Sequence, residues 1–163
     1  MNKLVLMAGV PGSGKTTLAQ RLIAKGYVCL NADLIREELW GDASDQRDKE
    51  KVFEIFFQRL EEGLGRGWDI VIDNTNINGK HREPIIERAR KFGYTDIQIW
   101  VVDTPLEVCL ARNQERDRNV PDDVVENMYR SLHGAGKPQK HEGRIVLVRP
   151  GRAPDEFRFF VVS

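Results

Sequence analysis

The chain has 163 residues, 40% of them hydrophobic and 8% aromatic, and its 25 basic and 25 acidic side chains leave a formal net charge of zero. That length suits one domain with a real core, and the charge balance excludes a protein that adheres over its whole surface to nucleic acid or anionic membrane, though not one with a local basic groove. No apolar run approaches the roughly 20 residues of a membrane span and the N-terminal run is too short for a signal peptide, while Cys29 and Cys109 lack metal-like or redox spacing, so a cytoplasmic protein with buried, reduced thiols is expected.

Apolar runs of strand length alternate with helical patterns. KLVLMA (3–8) predicts a first strand that runs into GVPGSGKTT (9–17), after which Leu18, Leu22 and Ile23 mark a helix ending at Gly26. YVCLN (27–31) predicts a second strand, followed by NADLIREEL. A long helix is expected after Ser44, with Phe53, Phe56, Phe57, Leu60 and Leu64 on one face, a stripe that reads as core rather than as a cofactor surface. DIVID (69–73) predicts a third strand closed by DNTN, and a helix from about Lys80 to Phe92 stops at Gly93. IQIWVVD (97–103) predicts a fourth strand, after which Thr104-Pro105-Leu106-Glu107 combines a capping box with proline at the first helical position. A last helix starts near Pro121 and carries Val124, Val125, Met128, Tyr129 and Leu132. HGAGKPQKHEG (133–143) reads as a mobile loop before the strands RIVLV (144–148) and FRFFVV (157–162). The first four strands lack polar alternation, as strands covered on both faces do. The expectation is therefore an α/β fold: a parallel sheet with helices on both faces, joined by right-handed crossovers, with ligands beyond the carboxyl ends of the strands.

GVPGSGKTT matches G-x-x-x-x-G-K-[ST] through Gly9, Gly14, Lys15 and Thr16, between a strand and a helix as that motif requires. Across Gly9, Pro11, Gly12, Ser13, Gly14 and Thr17 the backbone wraps closely and turns N–H groups inward, and the helix N-terminus adds partial positive charge, which suits the phosphates of a nucleotide. Lys15 would reach the β- and γ-phosphates and Thr16 a magnesium ion. The same loop serves kinases, hydrolases and switches, so the reaction has to be read from the other strand ends.

Asp33 follows the second strand with Arg36 one helical turn on. The pair reads either as a carboxylate that takes a proton from an acceptor hydroxyl beside a phosphate-clamping arginine, or as a helix cap and its neighbour. Asp73, Asn74, Thr75 and Asn76 close the third strand, where an acid resembles the magnesium-side acid of phosphate-loop proteins. Asp103 closes the fourth strand in the same way, so Asp73 and Asp103 are both metal candidates, against the plainer reading of a turn rich in Asp and Asn. In ARNQERDRNVP, Arg112 and Arg116 are four apart on one face, and with Arg118 and the polar run to Pro121 they suit a short lid at about 112–120, the alternative being ordinary solvated charge. Arginine's planar fork fits charge on a transferring phosphoryl group. His81, His133 and His141 belong to no catalytic or metal constellation.

In the order GVPGSGKTT, NADLIR, DNTN with INGKHR, VVDTPLEVCLARNQER and VPDDVVENMYRSL, residues 1–133 resemble the phage-type polynucleotide 5′-hydroxyl kinases, P-loop kinases of an AAA-like ATPase domain family. The resemblance implies a P-loop NTPase fold, an adenylate-kinase-like three-layer sandwich. It implies ATP and magnesium at Lys15 and Thr16, Asp33 as general base, Arg36 as phosphate contact, Arg112 and Arg116 as lid arginines, and Asp73 to Asn76 on the acceptor side. The substrate it implies is a 5′-hydroxyl DNA or RNA end. Enzymes of this type often carry a phosphatase domain as well, and the expectation for residues 1–163 is a kinase domain on its own. The tail from Lys137 lies outside the family pattern, with nucleotide-base contacts expected near Arg149-Pro150-Gly151. Two rivals stand beside this reading: a P-loop kinase of a small-molecule or other hydroxyl acceptor, and a nucleotide-dependent switch or binding module, which would need no acceptor base.

Overall fold

β1 (Lys3–Ala8) buries every residue after Lys3, with Leu4, Leu6 and Ala8 in one apolar cluster and Val5 and Met7 in another. A strand covered on both faces has to lie inside a sheet, and β1 is paired on both sides. The computed structural model describes residues 2–116, 120–153 and 155–163. In chain order the elements are β1, α1 (Lys15–Ala24), β2 (Val28–Leu30), α2 (Ala32–Trp40), α3 (Lys49–Gly65), β3 (Ile70–Ile72), α4 (Gly79–Lys91), β4 (Asp96–Val102), α5 (Leu106–Gln114), α6 (Asp122–His133), a 3-10 turn (Lys140–Glu142), β5 (Arg144–Pro150) and β6 (Phe157–Val161).

The strands form one sheet in the order β2-β3-β1-β4-β5-β6, parallel from β2 to β5 and closed by an antiparallel β6. One face packs on α2, α3 and α4 around Phe56, Leu60, Ile85 and Ile86, and the other on Leu18, Ala19 and Leu22 of α1, which gives the three-layer sandwich expected from the sequence. A smaller cluster of Val10, Cys109 and Val125 joins the glycine loop to α5 and α6. Among the described residues no helix is long and apolar enough to cross a membrane.

Several local expectations are corrected. α3 starts at Lys49 rather than just after Ser44, because Asp48 accepts from the Lys51 N–H at 3.0 Å, whereas the Ser44 hydroxyl donates to Asp42. Its aromatic stripe is split in two. Val52, Phe56, Leu60 and Leu64 recur every fourth residue and are buried, whereas Phe53, one residue round the helix, is 37% exposed. Thr104 caps nothing: its hydroxyl donates to the Ser13 carbonyl at 2.7 Å, and α5 begins after Pro105 without a side-chain cap.

Residues 133–143 are not a free loop. Arg82 is fully buried and donates from Nε to Glu142 Oε1 at 2.7 Å, from Nη1 to the Asn76 carbonyl at 2.8 Å and from Nη2 to the Gly136 carbonyl at 2.8 Å. The Gln139 N–H in turn donates to Glu142 at 2.5 Å. Polar composition concealed this order, since a buried arginine reads in sequence as surface charge. Burial pushes the Glu142 carboxyl up, but the Arg82 and Gln139 hydrogen bonds outweigh it and hold the group below its ordinary 4.5.

A carboxylate with a depressed folded pKa stabilises the fold above its unfolded pKa and loses that contribution as pH falls through the folded value. Arg82→Met, which leaves Glu142 buried without its cation, is therefore expected to destabilise the protein by about 3–5 kcal/mol in urea unfolding at pH 7. That difference should shrink below pH 4.5 as Glu142 becomes protonated. A loss under about 1 kcal/mol, the range of a solvated pair, would mean that the segment is not held by this contact.

Candidate active site at the strand ends

The turn after β1 is shaped by glycines at two positions whose left-handed backbone strains any side chain. Gly12 has φ +84°, and a Cβ there would lie 2.5 Å from the Cys109 carbonyl oxygen; Gly14 has φ +101°. The loop is tied to its neighbours by the Gly9 N–H, which donates to the Thr75 carbonyl at 3.0 Å, and by Thr104 on the Ser13 carbonyl. α1 then starts at Lys15 behind Gly14, with no side-chain cap and no acidic residue in its first turn. Its leading N–H groups are thus left for an anion, in the partial positive field of the helix end. Ser13 Oγ is buried without a hydrogen-bond partner among the described residues. An orphaned hydroxyl of this kind costs stability unless a ligand oxygen meets it, so the loop fits the phosphates of a nucleotide.

Asp73, at the end of β3, is 4% exposed. Lys15 Nζ lies 3.2 Å from its Oδ1, Thr16 Oγ1 donates to its Oδ2 at 3.3 Å, and Asn31 Nδ2 lies 3.5 Å from Oδ2. Asp103, the other metal candidate, is engaged elsewhere, by Arg149 Nε at 3.2 Å and His133 Nε2 at 3.6 Å. Of the two aspartates, Asp73 is therefore the one beside Thr16. Among the described residues no group of three or more His, Cys, Asp or Glu side chains gathers for a metal. One carboxylate and one hydroxyl suit magnesium, which keeps water and takes phosphate oxygens for its remaining ligands.

The capping alternative for Asp33 is removed, because Asn31 is the cap of α2: its side chain accepts from the Asp33 N–H at 2.7 Å and the Leu34 N–H at 3.4 Å. The Asp33 carboxylate is held by Arg36 Nη1 at 2.7 Å while 46% of its side chain stays exposed. Arg36 is 8% exposed and its Nε has no hydrogen-bond partner among the described residues. Asn74 accepts from the Ala32 N–H at 3.0 Å, joining the end of β3 to the start of α2. Asn76, at φ 48°, donates its amide to the Met7 carbonyl at 2.8 Å. These two asparagines thus hold backbone. Asn31 does not stand out in the sequence, although an Asn directly after an apolar run is a cap signal, and Thr104 reads there as a helix cap rather than as a tie to the glycine loop.

The segments that follow β1, β2 and β3 open on one cavity of about 800 Å3, lined by Lys15, Asp33, Arg36 and Asp73 to Asn76, with Arg116 also on its wall. Among the described residues its charged lining is five cations (Lys15, Arg36, Lys49, Lys80, Arg116) against two carboxylates (Asp33, Asp73). His81 adds no charge at neutral pH, since burial and the nearby Arg82 hold its imidazole below the usual 6.5. Burial pushes both free thiols, Cys29 and Cys109, up to about 11, which leaves neither as a thiolate nucleophile.

Arg112 and Arg116 do not share a helical face. α5 stops at Gln114, where Asn113 turns inward, its Nδ2 donating to the Val120 carbonyl at 2.5 Å and its Oδ1 accepting from the Val120 N–H at 3.1 Å. Arg112 reaches the Gly12 carbonyl at 3.4 Å, whereas Arg116 lines the cavity. Arg118 and the centre of the expected lid lie outside the described residues.

A glycine loop between a buried central strand and an uncapped helix, with a lysine and a threonine meeting an acid on the neighbouring strand, defines the P-loop kinase fold. The chain belongs to the AAA domain family whose model, AAA_33, matches residues 4–135. It is similar to the L-seryl-tRNA(Sec) kinase of Methanococcus maripaludis, 26% identical over 82% of this chain and 53% of that protein. It is also similar to a protein of Acanthamoeba polyphaga mimivirus named as a bifunctional polynucleotide phosphatase/kinase, 27% identical over 78% of this chain and 28% of that protein. The chain thus spans about half and about a quarter of the length of these relatives. A solved structure of the Pnkp1/Rnl/Hen1 RNA repair complex shares the fold with a TM-score of 0.73, at 23% identity over 82% of this chain and 44% of that one.

Gly12→Ala combines a left-handed backbone with the 2.5 Å approach to Cys109, both of which a methyl group opposes. It should destabilise the fold by more than about 1 kcal/mol and remove ATP binding. Melting curves and calorimetric titration with ATP would check this, and unaltered binding by the variant would separate the glycine loop from the nucleotide site.

Proposed function

We propose that the chain transfers the γ-phosphate of ATP to the 5′-hydroxyl end of DNA or RNA. The observation that carries the reading is the Asp33–Arg36 pair at 2.7 Å on the wall of the same cavity as Lys15 and Asp73, the carboxylate that Thr16 meets. A switch or a simple binding module has no use for a half-exposed carboxylate clamped there; a phosphotransferase does. ATP with magnesium supplies the phosphoryl group. The N–H groups of the glycine loop and Lys15 hold its phosphates, and Thr16 with Asp73 holds the metal side.

Asp33 accepts the proton of the acceptor hydroxyl as that oxygen bonds to the γ-phosphorus and the bond to the bridging oxygen of ADP breaks. Arg36 fixes the Asp33 carboxylate and has donors left for an acceptor phosphate. Arg116 faces the cavity, where its fork can meet charge that develops on the phosphoryl group, and Arg112 sits at the rim of the loop through Gly12.

The acceptor assignment draws on the named polynucleotide kinase activity of the viral relative and on the excess of cations in the cavity, which attracts a phosphate-bearing chain end although the whole protein is neutral. The archaeal relative favours a second reading with the same chemistry, in which the hydroxyl belongs to another acceptor such as a seryl group on tRNA.

Incubation with γ-labelled ATP and a panel of 5′-hydroxyl DNA and RNA oligonucleotides, seryl-tRNA, gluconate and glucose is expected to label the oligonucleotides fastest. Asp33→Asn should melt with the parent and bind ATP, yet transfer about 10²–10⁴-fold more slowly, the range for general acid–base catalysis. Faster labelling of another acceptor would move the assignment to that acceptor's class. A parental rate in Asp33→Asn would return the base to another carboxylate, with Asp73 first.

A further inference from the structure

α3 presents two stripes. Val52, Phe56, Leu60 and Leu64 face the core, while Lys49, Phe53 and Phe57 recur every fourth residue along another flank and all three line the cavity that holds Asp33 and Lys15. An aromatic ring that is 37% exposed on a cavity wall is neither core nor ordinary surface. Its surroundings are built rather than loose. Phe53 meets Phe56 edge-on at 6.0 Å, Phe56 meets Phe57 edge-on at 5.3 Å, and the Arg88 guanidinium lies 4.0 Å from the Phe57 ring. From α6, Val124 and Met128 extend this lining.

None of these five side chains can answer a sugar or polyol hydroxyl. An acceptor that reaches beyond Asp33 onto this wall therefore has a flat or apolar part there. The cations beside it, Lys49 and Lys80, ask for anionic groups close to that flat part. A planar ring joined to phosphates is a nucleotide, and aromatic platforms with basic neighbours hold single-stranded ends by stacking, with tolerance for every base.

We propose that Phe53, supported by Phe56 and Phe57, is the platform on which the base of the acceptor's terminal nucleotide stacks, with Lys49 and Lys80 meeting its 3′-side phosphates. This rests on the polynucleotide acceptor reading given above and adds to it the subsite that recognises the end. A stacking platform of this kind is expected to accept any base at the end, since every base has a stacking face.

The test compares two 5′-hydroxyl oligonucleotides that differ only in their first residue, a normal nucleotide or an abasic tetrahydrofuran unit, with γ-labelled ATP and the intact chain. The parent protein should show a KM about tenfold or more higher for the abasic end, in line with the usual worth of one stacked base. Phe53→Ala should raise the KM for the normal end until the two acceptors converge, and Phe53→Trp should keep the preference. Melting curves on each variant verify folding, and the comparison of acceptors on the parent protein decides the matter even if Phe53→Ala fails to fold. Equal KM values for the two ends, or an equal rise for both in a folded Phe53→Ala, would overturn the subsite while leaving the polynucleotide reading intact. If neither oligonucleotide is labelled while another acceptor is, the polynucleotide reading fails and the subsite falls with it.

Discussion

A carboxylate that is almost wholly out of water has to be compensated, and Asp73, 4% exposed, is compensated by groups from two separate elements. Lys15 and Thr16 come from the first turn of α1, and Asn31 from the junction of β2 and α2. Removing the compensation would leave a buried charge at a cost of several kcal/mol, so these partners are held where they are. The lysine proposed for the phosphates, the hydroxyl proposed for the metal side, and the cap that starts the helix bearing Asp33 are thereby fixed by one side chain. The two halves of the proposed chemistry share a support.

The surrounding backbone strengthens that coupling. Thr75 accepts from Gly9, Asn74 accepts from Ala32, and Asn76 donates to Met7, so the four residues after β3 fasten the ends of β1 and the start of α2. Arg82 then takes the Asn76 carbonyl and carries the connection into residues 136–142. The family model stops at residue 135, yet this segment is packed against the turn that shapes the cavity. A change in the 136–142 region should therefore be felt at Asp73 through packing and hydrogen bonds rather than through charge.

What could be read from sequence was whatever backbone geometry or an unbroken apolar run imposes. The glycine loop was legible because its glycines are required by positive φ and close approach, and the central strands because burial on both faces removes polar residues. The sheet order was not, since parallel strands carry no pairing code, and neither was the antiparallel direction of β6. Asn31 was hidden behind Asp33, because both residue types cap helices and only the geometry tells which one does. The α3 stripe reads in sequence as core throughout, although a helix turns far enough between Phe56 and Phe57 to point them differently. Arg112 and Arg116 have the spacing of one helical face, but spacing says nothing about where Asn113 ends the helix. Between Asp73 and Asp103 the sequence offered equal candidates, and only the neighbours of each, Thr16 in one case and Arg149 in the other, separate them.

The measurement that bears most directly on the central claim is the magnesium dependence of ATP affinity in Asp73→Asn, by calorimetric titration with and without chelator. If Asp73 holds both Lys15 and the metal side, the variant should bind ATP about equally with and without magnesium, and its metal-free binding should be no weaker than the parent's because Lys15 is released to the phosphates. An Asp73→Asn protein that keeps the parent's full gain in affinity from magnesium would contradict the account, and would place the metal-side acid elsewhere.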